Sequence, residues 1–343
     1  MGLLRNVYGL DLGTYEIKVY DRKKDLIWKE KNVIATKEEK YIFASGDEAY
    51  AMFEKAPDDI QVVFPMHGGV IAKFDDMQYL LEYLLKKERT FSKGAEYLVA
   101  VPTDVTEVEK RAFYDLVVHS AARAKSVRII ERGLADAIGA GVDIYRTGGV
   151  FVVNMGGGTT ELSVLASGGM VLNRLLKIGG EQFDMAIVGL VRHNLDFLIG
   201  RVTAEYLRRQ FGIFTQETDA ALTVSGRNLV SGVPQYCDIP ISLVRAAMKE
   251  PLEACTEAIR TMLERTPPGV RKNIFESGIY LTGGIANLKG LSTYLEESLG
   301  LPVQCAAEPE LCAVRGLQMI AQDKRQYKEL TYSMLDEDYR WLR

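Results

Sequence analysis

One pattern constrains this chain more than any other, and it occurs twice. Val7-Tyr8-Gly9-Leu10 runs straight into Asp11-Leu12-Gly13-Thr14, and Ile17-Lys18-Val19-Tyr20 then resumes a strand-like alternation. A second unit begins at Gly149. Val150-Phe151-Val152-Val153 is a continuous apolar run of the kind found in buried central strands. Asn154-Met155-Gly156-Gly157-Gly158-Thr159-Thr160 breaks it, and Glu161-Leu162-Ser163-Val164-Leu165 alternates again. A strand, a turn of acid or amide plus glycines, and a returning strand, repeated about half a chain apart, predict two related α/β halves. At 343 residues the chain is too long for one ordinary core, which fits the same division.

Helices account for much of the rest. Asp75 or Asp76 caps a helix carrying Met77, Leu80, Leu81 and Leu84 on one face. Thr106 and Glu109 form a capping box ahead of Phe113, Leu116 and Val117. A short strand ends at Glu131, before a small-residue helix from Leu134 to Gly141. A long helix is predicted from Ser242 to Arg265, with Pro251 in a first turn or at a kink. Gly278 to Leu281 reads as a buried strand that turns through Thr282-Gly283-Gly284 into a helix from Asn287. The stretches Lys31 to Lys73 and Phe214 to Ile241 are less regular and interrupt their halves as small accessory subdomains. The tail from Gln326 is expected to be a helix or a loosely docked extension.

Glycine after a strand lets the backbone aim several N–H groups at one anion. The turns at Gly13-Thr14 and Gly156-Gly157-Gly158 can clamp a polyphosphate from opposite sides, and the turn at Gly283-Gly284 can lie against a nucleoside. Asp11 is placed to hold a hydrated magnesium ion. Competing chemistries lack their residues. There is no GxxxxGK[ST] loop, no GxGxxG after a strand and no GxSxG elbow. Cys237, Cys255, Cys305 and Cys312 form no CxxC pair, and with three histidines no metal-ligand spacing emerges. A net charge of −4 gives no support to a nucleic-acid partner. The apolar stretch from Ala186 to Ile199 is interrupted by Arg192, His193, Asn194 and Asp196, and is too short and too charged to span a bilayer. The protein is expected to be soluble, with any membrane contact peripheral.

In this order the residues resemble a known family. Gly9-Leu-Asp-Leu-Gly-Thr14, Val152-Val-Asn-Met-Gly-Gly-Gly-Thr-Thr160 and Leu281-Thr-Gly-Gly284 resemble the phosphate-one, phosphate-two and adenosine motifs shared by actin, heat-shock chaperone ATPases and sugar kinases. Within that superfamily the chain is similar to the MreB bacterial actins. The similarity includes Phe64-Pro-Met-His-Gly-Gly-Val-Ile-Ala72, Ile178-Gly-Gly-Glu-Gln-Phe-Asp184, Thr203-Ala-Glu205 and Leu263-Glu-Arg-Thr-Pro-Pro268, and covers residues 6 to 325. It implies an actin-like ATPase fold: two duplicated α/β domains with mixed sheets around a nucleotide cleft, each with an accessory subdomain. The first domain is expected over residues 1–148 with 312–330 (accessory part 31–73), and the second over 149–311 (accessory part 184–241). The role of 331–343 is unread.

The resemblance implies ATP and magnesium in the cleft. Gly13, Thr14, Tyr15, Glu16, Gly156, Gly157, Gly158 and Thr159 fall on the phosphate side. Glu205, Arg208, Gly283, Gly284, Ile285 and Ala286 fall on the nucleoside side, and Asp11 holds the metal through water. It also implies filaments on the inner membrane face, partnered with the cell-elongation machinery, in a cytoplasmic protein that sets cell shape and directs wall synthesis. Leu3, Leu4 and Phe91 are the residues offered for membrane contact.

Three departures bear on activity. Asn154 replaces an aspartate, Arg132 follows Glu131 where the family has the glutamate that orients the attacking water, and Tyr15-Glu16 replaces Ala-Asn. Phosphoryl transfer needs a metal-held phosphate and an oriented nucleophile, so weak or absent hydrolysis is expected. Arg132 and Asn154 make the site more positive, which favours the phosphates without magnesium. Should Arg132 instead pair with Glu131 or Asp136, that effect is lost. If ATP does not bind at all, Tyr15 and Glu16 fill or repel. The alternatives are a conventional ATP-hydrolysing filament and a small-molecule kinase of the same fold.

Overall fold

The computed structural model describes residues 6–38, 41–87, 94–120, 123–212 and 220–335. The first half opens with β1 (Val7–Leu12), β2 (Glu16–Asp21) and β3 (Leu26–Lys31), which form an antiparallel meander. A small subdomain follows, made of β4 (Ile34–Lys37), β5 (Tyr41–Ser45), α1 (Asp47–Ala51), β6 (Ile60–Val63), β7 (Met66–His67) and β8 (Val70–Ile71). The half continues through α2 (Phe74–Lys87), β9 (Glu96–Val101), α3 (Glu107–Val118), β10 (Ser126–Glu131) and α4 (Arg132–Gly139). Here β9 and β10 add parallel to β1, giving the sheet order β10-β9-β1-β2-β3.

The second half repeats this plan. It runs β11 (Val150–Met155), β12 (Thr160–Ala166), β13 (Gly169–Leu176), α5 (Gly180–Leu195), β14 (Phe197–Leu198), α6 (Arg201–Phe211), β15 (Ala221–Asn228) and β16 (Pro234–Pro240). Then come α7 (Ile241–Arg265), α8 (Pro268–Ser277), β17 (Ile279–Thr282), α9 (Leu291–Leu299), β18 (Val303–Cys305) and α10 (Cys312–Gln322). Its sheet, β13-β12-β11-β17-β18, has the same antiparallel meander followed by two parallel strands. The duplication seen in the strand and turn patterns is therefore a duplication of topology.

Hydrophobic periodicity sets the layers. Met77, Leu80, Leu81, Leu84 and Leu85 of α2 and Phe113, Leu116 and Val117 of α3 are buried against the outer face of the first sheet. The buried faces of α5, α7 and α9 cover the outer face of the second. Between the sheets lie α4 and α10, where Leu134, Ile138, Val314 and Leu317 share a core with Val7, Tyr20, Val150 and Val152. These two helices cross at van der Waals range of backbone. A Cβ on Gly139 would fall 1.9 Å from the Cys312 carbonyl oxygen, and one on Gly316 would fall 1.9 Å from that of Ala135. Only glycine fits either position.

Several elements depart from expectation. Residues 221–240, read as irregular, form the β15-β16 hairpin, in which Val224 and Ile239 are the buried apolar side chains. The helix expected from Asn287 is a 3-10 turn over Gly284–Asn287, and α9 starts only at Leu291 because Gly290 (φ 81°) breaks the path. The long helix does span the expected stretch, Ile241–Arg265, with Pro251 in its interior and not in a first turn. The tail is tied down as far as the structure describes it. Tyr332 bridges antiparallel to Ile129 on the edge strand β10, Arg128 donates to Thr331 Oγ1 at 2.9 Å, and Met334 joins the first half's core. Leu3, Leu4 and Phe91 lie outside the described residues.

Candidate functional site, a cleft closed by its own side chains

The two repeated hairpins meet between the halves. In each, a glycine N–H donates to the carbonyl three residues on, Gly13 to Glu16 at 3.1 Å and Gly156 to Thr159 at 2.8 Å. The turns face and touch: a Cβ on Gly157 would lie 2.5 Å from Tyr15 Cβ, and one on Gly158 would lie 2.8 Å from Thr14 Cγ2. The third turn packs behind the second, with Gly283 (φ 84°) so close to Met155 and Asn154 that an added Cβ would fall 2.4 Å from the Met155 carbonyl oxygen. A cavity of about 670 Å³ opens above these turns. Thr14, Tyr15, Glu16 and Gly157 from the two hairpin turns line it, together with Glu205, Arg208, Gly284 and Ile285. Of the other expected residues, Gly13, Gly156, Gly158 and Thr159 belong to the first two turns, Gly283 and Ala286 to the third, and Asp11 to the strand that leads into the first.

Below the turns lies a buried charge cluster built on hairpin register. Asp11 on β1 is the cross-strand partner of Lys18, and Asn154 on β11 is the partner of Glu161. Arg132, the first residue of α4 and 6% exposed, joins the two hairpins. Its Nε donates to Asp11 Oδ1 at 3.2 Å, its Nη2 donates to the Leu12 carbonyl at 3.1 Å, and its Nη1 pairs with Glu161 Oε1. Lys18 Nζ takes the other Asp11 oxygen at 3.3 Å, and the Thr103 N–H donates to Glu161 Oε2 at 3.2 Å. Burial pushes the Asp11 carboxyl up, but Lys18 and Arg132 outweigh it and hold it below its ordinary value. Burial likewise disfavours the Arg132 cation, and Glu161 and Asp11 more than restore it.

This geometry corrects three expectations. Arg132 pairs with neither Glu131 nor Asp136, and its charge is not free for phosphate, because Asp11 and Glu161 already engage it. Glu131 turns away to Lys110 at 3.1 Å. The added carboxylate of Glu16 is neutralised by Lys31 and, at 3.6 Å, by Lys29. Asp11 is also a poor magnesium site as it stands: each of its oxygens accepts from a cation, so a metal-bound water would have to displace an ion pair. Among the described residues no group of three or more His, Cys, Asp or Glu is arranged to hold a metal. The residues do not fit the metal that the resemblance implied.

Lys18 and Glu161 had no site role in the sequence, and Asp136 entered only as an alternative partner for Arg132. The first two were accessible, since counting across each hairpin pairs them with Asp11 and Asn154. Asp136, one turn along α4, accepts from Asn154 Nδ2 at 2.6 Å and leaves its Oδ1 without a partner. Burial raises its pKa to about 8. A carboxyl is thus present close to Asn154, on a different element. On the far wall Arg208 is held by Asp184 through bonds of 2.7 and 3.1 Å. Burial lifts that aspartate to about 6 despite the guanidinium.

Two like-wound α/β halves, with glycine turns facing across a cleft and helices crossing behind it, define the actin-like ATPase fold. Solved structures agree. MreB5 of Spiroplasma citri bound to AMPPNP superimposes with a TM-score of 0.90 at 29% identity, covering 95% of this chain and 99% of that one. A MamK double helical filament subunit shares the fold at a TM-score of 0.78 and 19% identity, covering 93% of this chain and 99% of its own. The MreB/Mbl protein family model matches residues 5–329. The cell shape-determining protein MreB of Escherichia coli K12 is 35% identical over 324 residues, 92% of this chain and 93% of that protein. Mbl of Bacillus subtilis 168 is 33% identical over 313 residues, 90% of this chain and 93% of its own. The chain belongs to the MreB/Mbl family of cell shape-determining bacterial actins.

Proposed function

We propose that this protein is a filament subunit of the cell-shape cytoskeleton that takes an adenine nucleotide in its cleft and hydrolyses it weakly or not at all. The observation that carries this reading is Arg132. It sits where the family resemblance expects the water-orienting carboxylate, and it is locked between Asp11 and Glu161. A guanidinium can neither accept a proton nor orient water as a carboxylate does, and losing a positioned base removes about 10²–10⁴ in rate. The pair it makes with Asp11 supports nucleotide binding that gains nothing from magnesium. The backbone N–H groups of the glycine turns supply phosphate contacts that do not depend on these side chains.

Filament formation is supported by the family and by exposed apolar edges on both accessory subdomains. Tyr41 and Phe43 stand out on the edge strand β5, and Val230 and Tyr236 on the β15-β16 hairpin. Such patches on different parts of one surface suit head-to-tail association that does not close. Among the described residues no helix is long and apolar enough to cross a membrane, so the proposed site of action along the inner membrane face, with the elongation machinery, is peripheral. Sedimentation of the full-length protein across nucleotide and lipid conditions tests this: pelleting above a critical concentration is expected. Monomers under every condition would refute the filament reading.

A further inference from the structure

Tyr15 has no part in the hydrolytic reading, yet it reaches across the cleft to Glu205 of the second half. It leaves the β1-β2 turn with its Cβ against Gly157 of the opposite half. Its hydroxyl reaches the carboxylate of Glu205 on α6, 3.0 and 2.9 Å from the two oxygens, and lies 3.2 Å from the hydroxyl of Tyr50 on α1. Tyr50 in turn donates to Glu205 Oε2 at 3.0 Å. The two rings meet edge to face with centroids 5.7 Å apart, and Lys31 Nζ sits 4.1 Å over the Tyr15 ring. One carboxylate thus collects two phenol donors from the first half and its accessory subdomain, while Arg209 supports it from within its own helix.

Hydrogen bonds to an ionised acceptor are the strong ones, and Glu205 is held ionised. Burial works to raise its pKa, but Arg209 and the Tyr15 hydroxyl outweigh it and bring it below the ordinary value. Tyr15 and both groups that its hydroxyl reaches, Tyr50 and Glu205, line the cavity, together with Thr14, Gly157, Arg208 and Ile285. A ligand that takes up the space of the Tyr15 ring among these residues has to break that bridge.

We propose that Tyr15 is the gate of this cleft. In the nucleotide-free protein it straps the two halves together through Glu205 and Tyr50, and a nucleotide enters only by displacing it. This rests on the nucleotide reading above. It adds that closure is intrinsic to the chain, and that Tyr15 sets which ligands enter and how tightly they bind.

The test uses full-length protein stripped of nucleotide, as wild type, Tyr15→Phe and Tyr15→Ala. ATP binding is measured by calorimetry, in magnesium and in EDTA, and small-angle scattering is recorded on the same samples. Tyr15→Ala is expected to bind ATP at least tenfold more tightly than wild type and to show a larger nucleotide-free radius of gyration. Tyr15→Phe, which keeps the ring and loses the donor, is expected to fall between them and guards against a folding artefact. If Tyr15→Ala binds no more tightly and scatters as wild type does, the proposal is overturned. If Tyr15→Ala opens but no variant binds ATP, the strap stands and the nucleotide reading fails.

Discussion

A guanidinium between two buried carboxylates is hard to remove piecemeal. Arg132→Ala would leave Asp11 and Glu161 facing each other with Lys18 as the remaining cation, and breaking such a buried pair costs about 3–5 kcal/mol. That loss is expected in the denaturant midpoint. Arg132→Glu brings a third carboxylate to the same spot, so its midpoint should rise with added magnesium while that of the wild type does not. Equal stabilisation of both by magnesium would show that Asp11 is free to hold metal after all. Asp136 makes a separate prediction. It faces Asn154, Arg132, Glu161, Asp11 and Cys312, and its pKa rises from 3.8 to about 8 on folding. A raised carboxyl pKa means that the native state holds a proton the unfolded chain has lost, so stability falls as pH climbs from about 4 to 8. Asp136→Asn removes that proton linkage, and its stability advantage over wild type should grow between pH 5 and pH 8. The glycine turns were legible because strand, acid and glycine are adjacent in the chain. Asp136 was not, because its approach to Asn154 depends on how α4 packs against β11.

At the level of elements, α4 and α10 hold the two sheets together through a crossing that tolerates no Cβ. Gly139→Ala or Gly316→Ala places a methyl group 1.9 Å from a carbonyl oxygen, and overpacking of this kind costs about 1–3 kcal/mol or more. Because both substitutions push the same pair of helices apart, the double variant should lose less than the sum of the singles in thermal or chemical unfolding. The buried strands β1, β11 and β17 could be read directly from their apolar runs. The β15-β16 hairpin could not, since both strands are largely exposed and β16 is bounded by prolines at a sheet edge. The tail, expected as a helix or a loosely docked extension, was misjudged for a similar reason: Tyr332 and Met334 gain meaning only from β10 and the core they cover.

For the whole molecule, duplication supplies the cleft, and the side chains within the cleft set its character. The fold could be inferred from two hairpins and a third glycine turn, and the family followed from their order. The internal closure by Arg132 and Tyr15 could not, because each joins residues more than a hundred positions apart, Asp11 to Arg132 and Tyr15 to Glu205. A family fold with an engaged Asp11 and no water-orienting carboxylate at position 132 should assemble without turning over its nucleotide. Phosphate release, followed continuously while the same sample assembles from ATP in magnesium, tests this most directly. The expected result is pelletable filament with phosphate release at the level of a protein-free blank. Steady phosphate release that tracks filament mass would contradict it and show that other residues of this cleft activate water.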